Sequence, residues 1–385
     1  MSRVSTPVEI NPETLLHTFL EMVRIDSPSG GEDAFREYLI GRVSEKAPAY
    51  GLTYHVDAGG NLIVDVPGCQ ARHDRVLVLS GHMDVVPPCH NIQPVVESVA
   101  GDRIIASDNT TVLGADDKSG LAPILEAVFF ALEHQLPRPA VRLIFTTREE
   151  TALAGAKELA DESLQAGFAI TFDHTGKQGV IINQAPTYIE FEIECRGKSV
   201  HAGIMPEQGL NAIVFAGKVI EKLHLGRVDA DTTCNIGFLT GGKATNIVPD
   251  LAVLRGELRG HAPEILAREL AHIEAVLAEV SATMPGTSYG FTQQPLFDAY
   301  RVDETHPGVL NLMQAARQIG LESSFMRTNG GSDNNVFVKR GLPGVVLSAG
   351  YMEPHSLKER VRLSEMTLCA QFVLVILDTF AHEPF

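Results

Sequence analysis

Four short apolar runs of this sequence each lead into a side chain that can bind a metal ion. The runs cover residues 75–80, 141–147, 168–172 and 345–349, and the side chains that follow them are His82, Glu150, Asp173 and His355. Imidazole nitrogens and carboxylate oxygens are ligands that zinc and related divalent ions accept. One such residue carries little information, but four of them after four apolar runs indicate a shared metal site.

A His-x-Asp pair, His82 and Asp84, follows the first apolar run. A histidine that binds a metal through one ring nitrogen needs an acceptor for the other, and the carboxylate of Asp84 is close enough to serve. The alternative is an ordinary turn in which the aspartate only caps backbone groups. The pair predicts a metal-binding histidine oriented by an aspartate, with the turn as the competing interpretation.

Two adjacent aspartates, Asp116 and Asp117, stand at the start of a helix that we predict over residues 117–133. Aspartate is favoured there because it caps the first N–H groups and complements the helix dipole. Capping explains one of the two carboxylates. We therefore predict that the other, Asp116, points outward as a metal ligand.

Two adjacent glutamates, Glu149 and Glu150, follow the second apolar run. Like charges this close are costly unless a cation separates them or one carboxyl group stays protonated. A metal hydrolase uses such a pair by binding the metal through one carboxylate and holding the attacking water with the other. The alternative is a pair of solvated glutamates at a helix start.

Taken together, the predicted ligands supply two imidazoles and three carboxylates: His82, Asp116, Glu150, Asp173 and His355. Five residues suit two divalent ions if one carboxylate bridges them. Three negative ligands and a bridging hydroxide balance two Zn²⁺ ions, so we predict two zinc ions per chain, with Co²⁺ or Mn²⁺ as substitutes. Taken singly, Asp173 and His355 are better explained as a turn aspartate and a surface histidine.

The elements that would position these residues alternate between strand and helix up to about residue 185. This alternation predicts a parallel sheet, whose ligands bind at the carboxyl ends of the strands. After it, the order strand-helix-strand-strand-helix-strand resembles a split βαβ unit. We predict an α/β fold in which a mixed, mostly parallel sheet flanked by helices forms a catalytic domain (residues 1–185 and 294–385). An α+β, ferredoxin-like lid domain is inserted at residues 186–293.

Bulk composition narrows the function classes. The chain has 385 residues, which favours two domains, and a formal charge of −17, which argues against nucleic acid or an anionic membrane as partner. No apolar run approaches the ~20 residues of a membrane span, and the start lacks a signal-peptide pattern. Five scattered cysteines favour reduced thiols and a cytoplasmic location.

Five pieces of the sequence, in this order, resemble the co-catalytic zinc peptidases that include peptidase T and carboxypeptidase G. They are GHMD at 81–84, GADDK at 114–118, REE at 148–150, Asp173 and His355. The resemblance runs from about Glu13 to the C-terminus. The loop around His355 reads GYMEPHS and departs from the family's commoner asparagine-containing loop.

The resemblance implies a role for each matching residue. The implied metal ligands are His82 and Asp173 for one zinc ion, Glu150 and His355 for the other, and Asp116 as the bridge between them. Glu149 would be the general base and proton shuttle. Asp84 would orient His82.

The inserted domain extends the resemblance. The segment GKSVHAG at 197–203 is similar to the family's lid segment, whose histidine reaches the substrate carbonyl oxygen, in dimeric members from the neighbouring subunit. This implies a catalytic role for His201 and a homodimer through the lid domain. The implied substrate contacts are Asn246, Arg259, Asn329, Gly330 and Gly331. A guanidinium such as that of Arg259 can hold a carboxylate bidentately, although an exposed cation at a strand end is an equal alternative.

The expected function is hydrolysis of the N-terminal peptide bond of tripeptides or other short peptides by a dizinc metallo-aminopeptidase. Asp173, where carboxypeptidases and deacylases more often have glutamate, and the motif GADDK are both similar to peptidase T. The alternative is an N-acyl amino acid deacylase, another amidohydrolase or a carboxypeptidase with the same two-metal site. A nucleotide-binding α/β protein would need a GxGxxG or Walker loop after a strand, and the sequence has neither.

Overall fold

The computed structural model of the chain describes residues 10–385. The helices in this range are α1 (Pro12–Val23), α2 (Asp33–Tyr50), α3 (Ala115–Glu133), α4 (Ala154–Glu158), α5 (Ala212–Lys222), α6 (Pro263–Thr283), α7 (Pro307–Gln318), α8 (Asp333–Lys339) and α9 (Leu363–His382). The strands are β1 (Thr53–Val56), β2 (Leu62–Val66), β3 (Val76–His82), β4 (Pro94–Val99), β5 (Asp102–Ser107), β6 (Ala140–Thr146), β7 (Phe168–Phe172), β8 (Val180–Ala185), β9 (Thr187–Arg196), β10 (Gly226–Arg227), β11 (Thr233–Gly241), β12 (Leu251–Gly260), β13 (Ser288–Phe297), β14 (Tyr300–Arg301), β15 (Ser324–Arg327), β16 (Gly344–Leu347), β17 (Tyr351–Met352) and β18 (Arg360–Arg362).

The described chain divides into two compact units. The first contains the residues up to Gln184, together with Arg301–Arg327 and Ser332–Phe385. The second contains Ala185–Tyr300 and the short segment Thr328–Gly331. Along the sequence, the second unit therefore interrupts the first.

A large mixed sheet forms the centre of the first unit. Its strand order is β1-β2-β6-β3-β7-β16-β8-β14, with β15 beside β8. The four central strands β6, β3, β7 and β16 run parallel, whereas β1, β2 and β8 pair antiparallel with their neighbours on this path. The predicted mixed α/β fold with helices flanking the sheet is confirmed.

The parallel strands end at one edge of this sheet, which is where the predicted ligands follow them. His82 is the last residue of β3 and pairs in register with Thr146 of β6. Asp173 directly follows β7. The sequence interpretation ended the first strand at residue 80, which was wrong by two residues, because Gly81 and His82 continue the pairing with β6.

A second, small sheet of the first unit was not predicted. Its order is β17-β18-β5-β4, and its strands are two to six residues long. β4 is exposed over nearly its whole length and β17 and β18 are very short, so neither produces a clear apolar pattern. This sheet matters for the site because the loop between β17 and β18 carries His355.

The C-terminal helix α9 is a core helix that the sequence interpretation missed. It packs against α3 and α7, and its sequence is apolar almost all round, so it lacks the helical periodicity that marks an amphipathic helix. Contrary to the expectation that no apolar stretch approaches a membrane span, it is the one helix in residues 10–385 long and apolar enough to cross a membrane by length and composition. The protein buries 61% of the apolar window.

The second unit is a five-stranded antiparallel sheet covered by two helices. Its strand order is β10-β11-β12-β9-β13, and the chain order β9-α5-β11-β12-α6-β13 is the predicted split βαβ arrangement. Its core is built by Phe215 and Val219 of α5, Leu254 of β12 and Leu277 of α6. The ferredoxin-like insert is therefore confirmed as part of the fold class.

Candidate metal centre

His82 lies at the centre of a cluster of acidic side chains in the first unit. Its side chain is only 1% exposed. Nε2 lies 3.1 Å from Oδ1 of Asp116 and 3.7 Å from Oδ1 of Asp173. One ring nitrogen of His82 therefore faces two carboxylates that come from different elements, and the three groups can share one metal ion.

The other ring nitrogen of His82 faces Asp84, but mainly its backbone. Nδ1 lies 3.0 Å from the carbonyl oxygen of Asp84 and 3.5 Å from its carboxylate oxygen Oδ1. A carbonyl acceptor requires that Nδ1 carry the proton, which leaves the Nε2 lone pair for a metal. Asp84 can therefore orient His82 through its backbone carbonyl or through its carboxylate. That Asp84 orients His82 stays a prediction.

The carboxylate of Asp84 has a second set of partners. It is completely buried and accepts hydrogen bonds from the backbone N–H of Glu149 at 2.9 Å, from the N–H of Glu150 at 3.2 Å and from the Ser29 hydroxyl at 2.7 Å. Burial favours the neutral acid, but His82 and these donors outweigh it, so the pKa of Asp84 is lowered. Asp84 is an ionised clamp on the segment that carries both glutamates.

The two aspartates at the start of α3 point in different directions, but the expectation that one of them caps the helix was wrong, because neither carboxylate accepts a helix N–H group. Asp116 reaches His82 through Oδ1 and lies 3.4 Å from Nε2 of His355 through Oδ2. Asp117 is fully buried and accepts the backbone N–H of His82 at 3.2 Å. Asp116 therefore faces both histidines, whereas Asp117 supports the end of β3.

Glu150 and His355 meet at the more exposed side of the cluster. Nε2 of His355 lies 2.8 Å from Oε1 of Glu150, and the His355 side chain is about half exposed (51%). Hydrogen bonds with Asp116 and Glu150 raise the pKa of His355 to about 10. In the absence of a metal, the imidazolium of His355 would therefore take the position of a cation between two carboxylates.

Glu149, the neighbour of Glu150, is nearly buried. Its pKa is raised well above the ordinary value by burial first and then by the negative charges around it, above all that of Asp173. The residue before it, Arg148, adopts a left-handed conformation (φ 52°), which turns the chain sharply after β6. The turn explains how adjacent side chains can reach one cavity from different sides.

Asp173 is held by a residue that the sequence interpretation did not single out. The hydroxyl of Tyr351 donates a hydrogen bond to Oδ1 of Asp173 at 3.0 Å. Both side chains are largely buried. Burial raises the pKa of Asp173 well above its ordinary value, which means that its ionised form is disfavoured. The hydroxyl of Tyr351 is a neutral donor, and its hydrogen bond helps to stabilise that ionised form among the other acidic side chains.

Three sets of potential ligand atoms lie within 4.8 Å of one another in this cluster: His82 with Asp116 and Asp173, Asp116 with Glu150 and His355, and His82 with Glu149 and Glu150. The first two sets share Asp116. Two sets of three donors with one carboxylate in common suit a pair of ions joined by a bridging ligand. All five predicted ligands are thus brought together. The third set shares His82 with the first and Glu150 with the second, so the assignment of ligands to two ions stays a prediction.

The electrostatics of the cluster also fit metal ions. Burial and neighbouring negative charges raise the pKa of Glu149, Asp173 and Asp117. Such shifts mark negative charge that the protein does not compensate by itself. Divalent cations would remove this cost, and the nitrogen and oxygen donors are those that zinc, cobalt and manganese accept.

The remaining predicted site residues belong to the second unit. The segment with His201 pairs with the segment around Asn246, because the backbone N–H of Ala202 donates to the Asn246 carbonyl at 2.9 Å. Arg259 lies over the ring of Tyr188, with 4.1 Å between its guanidinium carbon and the ring centroid. Within residues 10–385, the three sets of potential ligand atoms contain none of these side chains.

Arg259 also contacts the glycine-rich segment that returns to the second unit. Its Nη1 donates to the carbonyl of Asn329 at 3.4 Å, and its Nη2 is 3.1 Å from Oε2 of Glu257. Asn329 precedes Gly330 and Gly331, the other two predicted substrate contacts. The guanidinium already has a carboxylate partner, so binding a substrate carboxylate would require it to share or leave Glu257.

Glu359 is the second residue of the site that sequence reasoning missed. Its carboxylate accepts three backbone N–H groups from the segment that leads to Asp116. The partners are more than 240 residues away in sequence and are backbone groups, so no motif announces them. The only available signal was its spacing of four residues after His355.

The fold and this site define a metallopeptidase of the co-catalytic, two-metal class. A family described as Peptidase dimerisation domain matches residues 185–284, and one described as Peptidase family M28 matches residues 61–201. The protein YqjE of Bacillus subtilis (strain 168) is 34% identical over 378 residues, which are 97% of this chain and 100% of that protein.

Two solved structures are similar over nearly the whole chain. One is the aminopeptidase PepT from Bacillus cereus ATCC 10987, with 33% identity and a TM-score of 0.85. The other is a tripeptidase from Staphylococcus aureus subsp. aureus Mu50, with 35% identity and a TM-score of 0.89. Each comparison covers 97% of this chain and 99% of the other. The chain belongs to the peptidase T-like family of co-catalytic metallopeptidases, which confirms the resemblance.

Proposed function

We propose that this protein is a metallo-aminopeptidase that removes the N-terminal residue from tripeptides or other short peptides. The observation that carries the proposal is the sharing of Asp116 between two three-residue ligand sets, with the buried carboxyl group of Glu149 beside them. The relatives named aminopeptidase and tripeptidase support the same class of substrate. The N-acyl amino acid deacylase alternative is not favoured by these relatives.

The cofactor we propose is a pair of Zn²⁺ ions. His82 and Asp173 would hold one ion, Glu150 and His355 the other, and Asp116 would contact both. When bound, such a pair lowers the pKa of water and polarises the substrate carbonyl group. Co²⁺ and Mn²⁺ accept the same donors, so metal analysis of protein purified without chelators is needed to identify the native ion.

Glu149 is the general base in this proposal. In the metal-free site, burial and then the charge of Asp173 raise its pKa well above the ordinary value, and a buried carboxylate beside the proposed ligands can accept and return a proton. Its backbone is fixed by the carboxylate of Asp84, which limits the positions its side chain can take. Glu149 would take a proton from the attacking water and deliver it to the leaving amine.

The second unit would supply substrate contacts. We propose that His201 stabilises the developing oxyanion and that Arg259 holds the carboxylate end of the peptide. Asn246, Asn329, Gly330 and Gly331 would bind substrate through side-chain or backbone groups.

A homodimer through the second unit is the partner arrangement we propose. Strand β10 covers only Thr233 and Cys234 of β11, so within residues 10–385 the rest of this edge has no strand beside it. Next to it lies a group of exposed apolar side chains, namely Ile213, Val214, Leu239 and Leu251. An open strand edge with an adjacent apolar patch is a surface that a second copy can cover.

Light scattering tests the dimer. Val214→Glu places a charge in the proposed interface and should convert a dimer of the wild-type protein into a monomer. Val95→Glu, at a similarly exposed valine of β4 in the first unit, is the matched control and should leave the dimer intact. A wild-type protein that is monomeric at all concentrations would refute the arrangement.

The free thiols of all five cysteines support a cytoplasmic location, which we include in the proposal.

Activity on matched substrates tests the proposed function. A free tripeptide should be hydrolysed at its first peptide bond, whereas its N-acetylated form should be a poor substrate. Chelation should abolish the reaction and added metal should restore it. Cleavage of only the N-acetylated peptide would contradict an aminopeptidase and favour the deacylase alternative.

A further inference from the structure

The buried carboxylate of Glu359 holds the backbone segment that leads to Asp116. Its Oε2 accepts the N–H groups of Leu113 at 2.7 Å and Gly114 at 2.8 Å, and its Oε1 accepts the N–H of Asp116 at 2.8 Å. The residue is only 1% exposed. All three donors are backbone amides, so this side chain fixes the course of the main chain rather than a neighbouring side chain.

The position of Glu359 in the sequence gives this contact its importance. It lies four residues after His355, in the loop between β17 and β18. The same loop is anchored at its far end, because Arg360 and Val361 of β18 pair with β5. Glu359 therefore connects the loop that carries His355 with the segment that carries Asp116. The side chains of His355 and Asp116 lie 3.4 Å apart.

Burying a carboxylate without a strong compensating set of donors is unfavourable, so an apolar residue would serve better if only packing were needed. Burial raises the pKa of Glu359 to about 7, against the opposing effect of its three N–H donors. Three N–H donors converging on one carboxyl group impose a defined geometry. Because Asp116 belongs to two of the ligand sets, an error in its backbone position would change its distances to His82 and to His355 together.

We propose that Glu359 is a positioning residue that sets the relation of Asp116 to His355 and thereby the ability of the site to hold two metal ions. It acts through Asp116 and touches neither substrate nor metal. The inference rests on the proposed two-metal site. Glu359 is not one of the proposed metal ligands, general base or substrate contacts.

Metal titration of the metal-free protein tests the proposal. Glu359→Gln keeps the size of the side chain but turns an NH₂ group toward backbone N–H donors, so at least one of the three hydrogen bonds is lost. We expect at least one of two Zn²⁺ ions to bind about 10–100-fold more weakly, as measured by calorimetry. The absorption spectrum of the Co²⁺-substituted protein should change as well, and kcat should fall more than KM rises.

The matched control is Glu353→Gln in the same loop. Glu353 is exposed, and its carboxylate pairs with the guanidinium of Arg360 at 2.7 Å. This variant should bind both metals as the wild-type protein does. Should Glu359→Gln fail to fold, Glu359→Asp provides the test, since it keeps the charge but withdraws it by one methylene group and should show a smaller loss of metal affinity.

Unchanged Zn²⁺ affinities and an unchanged Co²⁺ spectrum in a folded Glu359 variant would overturn the inference. The wild-type titration separates this outcome from a failure of the proposed function. If the wild-type protein binds fewer than two metals, the two-metal site itself is wrong. If it binds two and the variant binds them equally well, only the role of Glu359 is wrong.

Discussion

The carboxylate of Asp84 accepts the backbone N–H of Glu149 at a distance of 2.9 Å, in a position fully removed from solvent. The same carboxylate accepts the N–H of Glu150, and its residue also contacts the ring of His82. One buried anion thus connects His82, the proposed metal ligand at the end of β3, with the two glutamates after β6. The segment that carries Glu149, the proposed general base, is held by Asp84, which lies two residues after His82.

Replacing Asp84 should therefore damage both stability and catalysis. In Asp84→Ala the buried N–H groups of Glu149 and Glu150 lose their acceptor, and the free energy of unfolding should fall by about 3 kcal/mol. Denaturant unfolding of the metal-free protein measures this. Ser29→Ala, which removes only the hydroxyl donor at 2.7 Å, is the control and should cost about 1 kcal/mol with activity retained. Equal losses in the two variants would refute the clamp.

Glu149→Gln should abolish turnover without removing the metals. The amide cannot accept a proton, so kcat should fall by roughly 10²–10⁴-fold, whereas the ligand atoms remain in place. Metal analysis and steady-state kinetics on the same preparation make the measurement. Glu162→Gln, at an exposed glutamate of the first unit, is the control and should change neither the metal content nor kcat. Loss of metal in Glu149→Gln would instead make Glu149 a ligand.

Metal binding should stabilise the protein more strongly as the pH rises from about 6 to 9. Hydrogen bonds to Asp116 and Glu150 raise the pKa of His355 to about 10, so the metal-free folded state binds an extra proton between the ordinary histidine pKa and that value. This proton on His355 stabilises the metal-free folded state fully below the pKa that His355 has in the unfolded state. The stabilisation is lost as the pH rises through the pKa that His355 has in the folded state. Metal ions need the neutral imidazole and gain affinity over the same range.

Thermal unfolding with and without Zn²⁺ at several pH values checks this sign. The melting temperature of the metal-free protein should fall with rising pH, and the increase caused by saturating metal should grow. His17→Ala is the control, because His17 is exposed and belongs to no ligand set. A metal-induced increase that shrinks at higher pH would show that His355 is not a metal ligand.

The sequence predicted the candidate ligands of the site better than the residues that hold those ligands in place. His82, Asp116, Glu150 and Asp173 come together because strand ends and a helix start of an α/β sheet converge at one edge, and that rule depends only on local pattern. His355 joins them from the loop between β17 and β18 of the small sheet, which the sequence did not reveal. The supports of the site, Tyr351 and Glu359, depend instead on contacts between segments distant in the chain. Such contacts leave no local pattern in a single sequence.

The elements that were missed have similar physical reasons. The helix α9 is apolar on most sides because it packs against both α3 and α7, so it has no polar face to reveal its period. The strands β17 and β18 contain two and three residues and are defined by their pairing with each other and with β5. Tertiary packing, rather than local preference, determines these elements.

Gly120 of α3 provides a last test, because the helix passes very close to the end of β7 there. A Cβ atom at this position would overlap the carbonyl oxygen of Phe172, the residue before Asp173, and the carboxylate of Asp117. Backbone atoms cannot move aside without shifting the strand end. Gly120→Ala should therefore lower the free energy of unfolding by about 2 kcal/mol and weaken metal binding by displacing Asp173 relative to Asp116.

The matched control is Gly217→Ala in α5, where a Cβ would meet no atom within 4 Å. Alanine is the better helix former, so this variant should gain about 0.5–1 kcal/mol and bind metal normally. Chemical denaturation of the metal-free proteins and Zn²⁺ titration of each compare the two. If Gly120→Ala were as stable as the wild-type protein and bound metal equally well, the close approach of α3 to β7 would not be what fixes the two carboxylates.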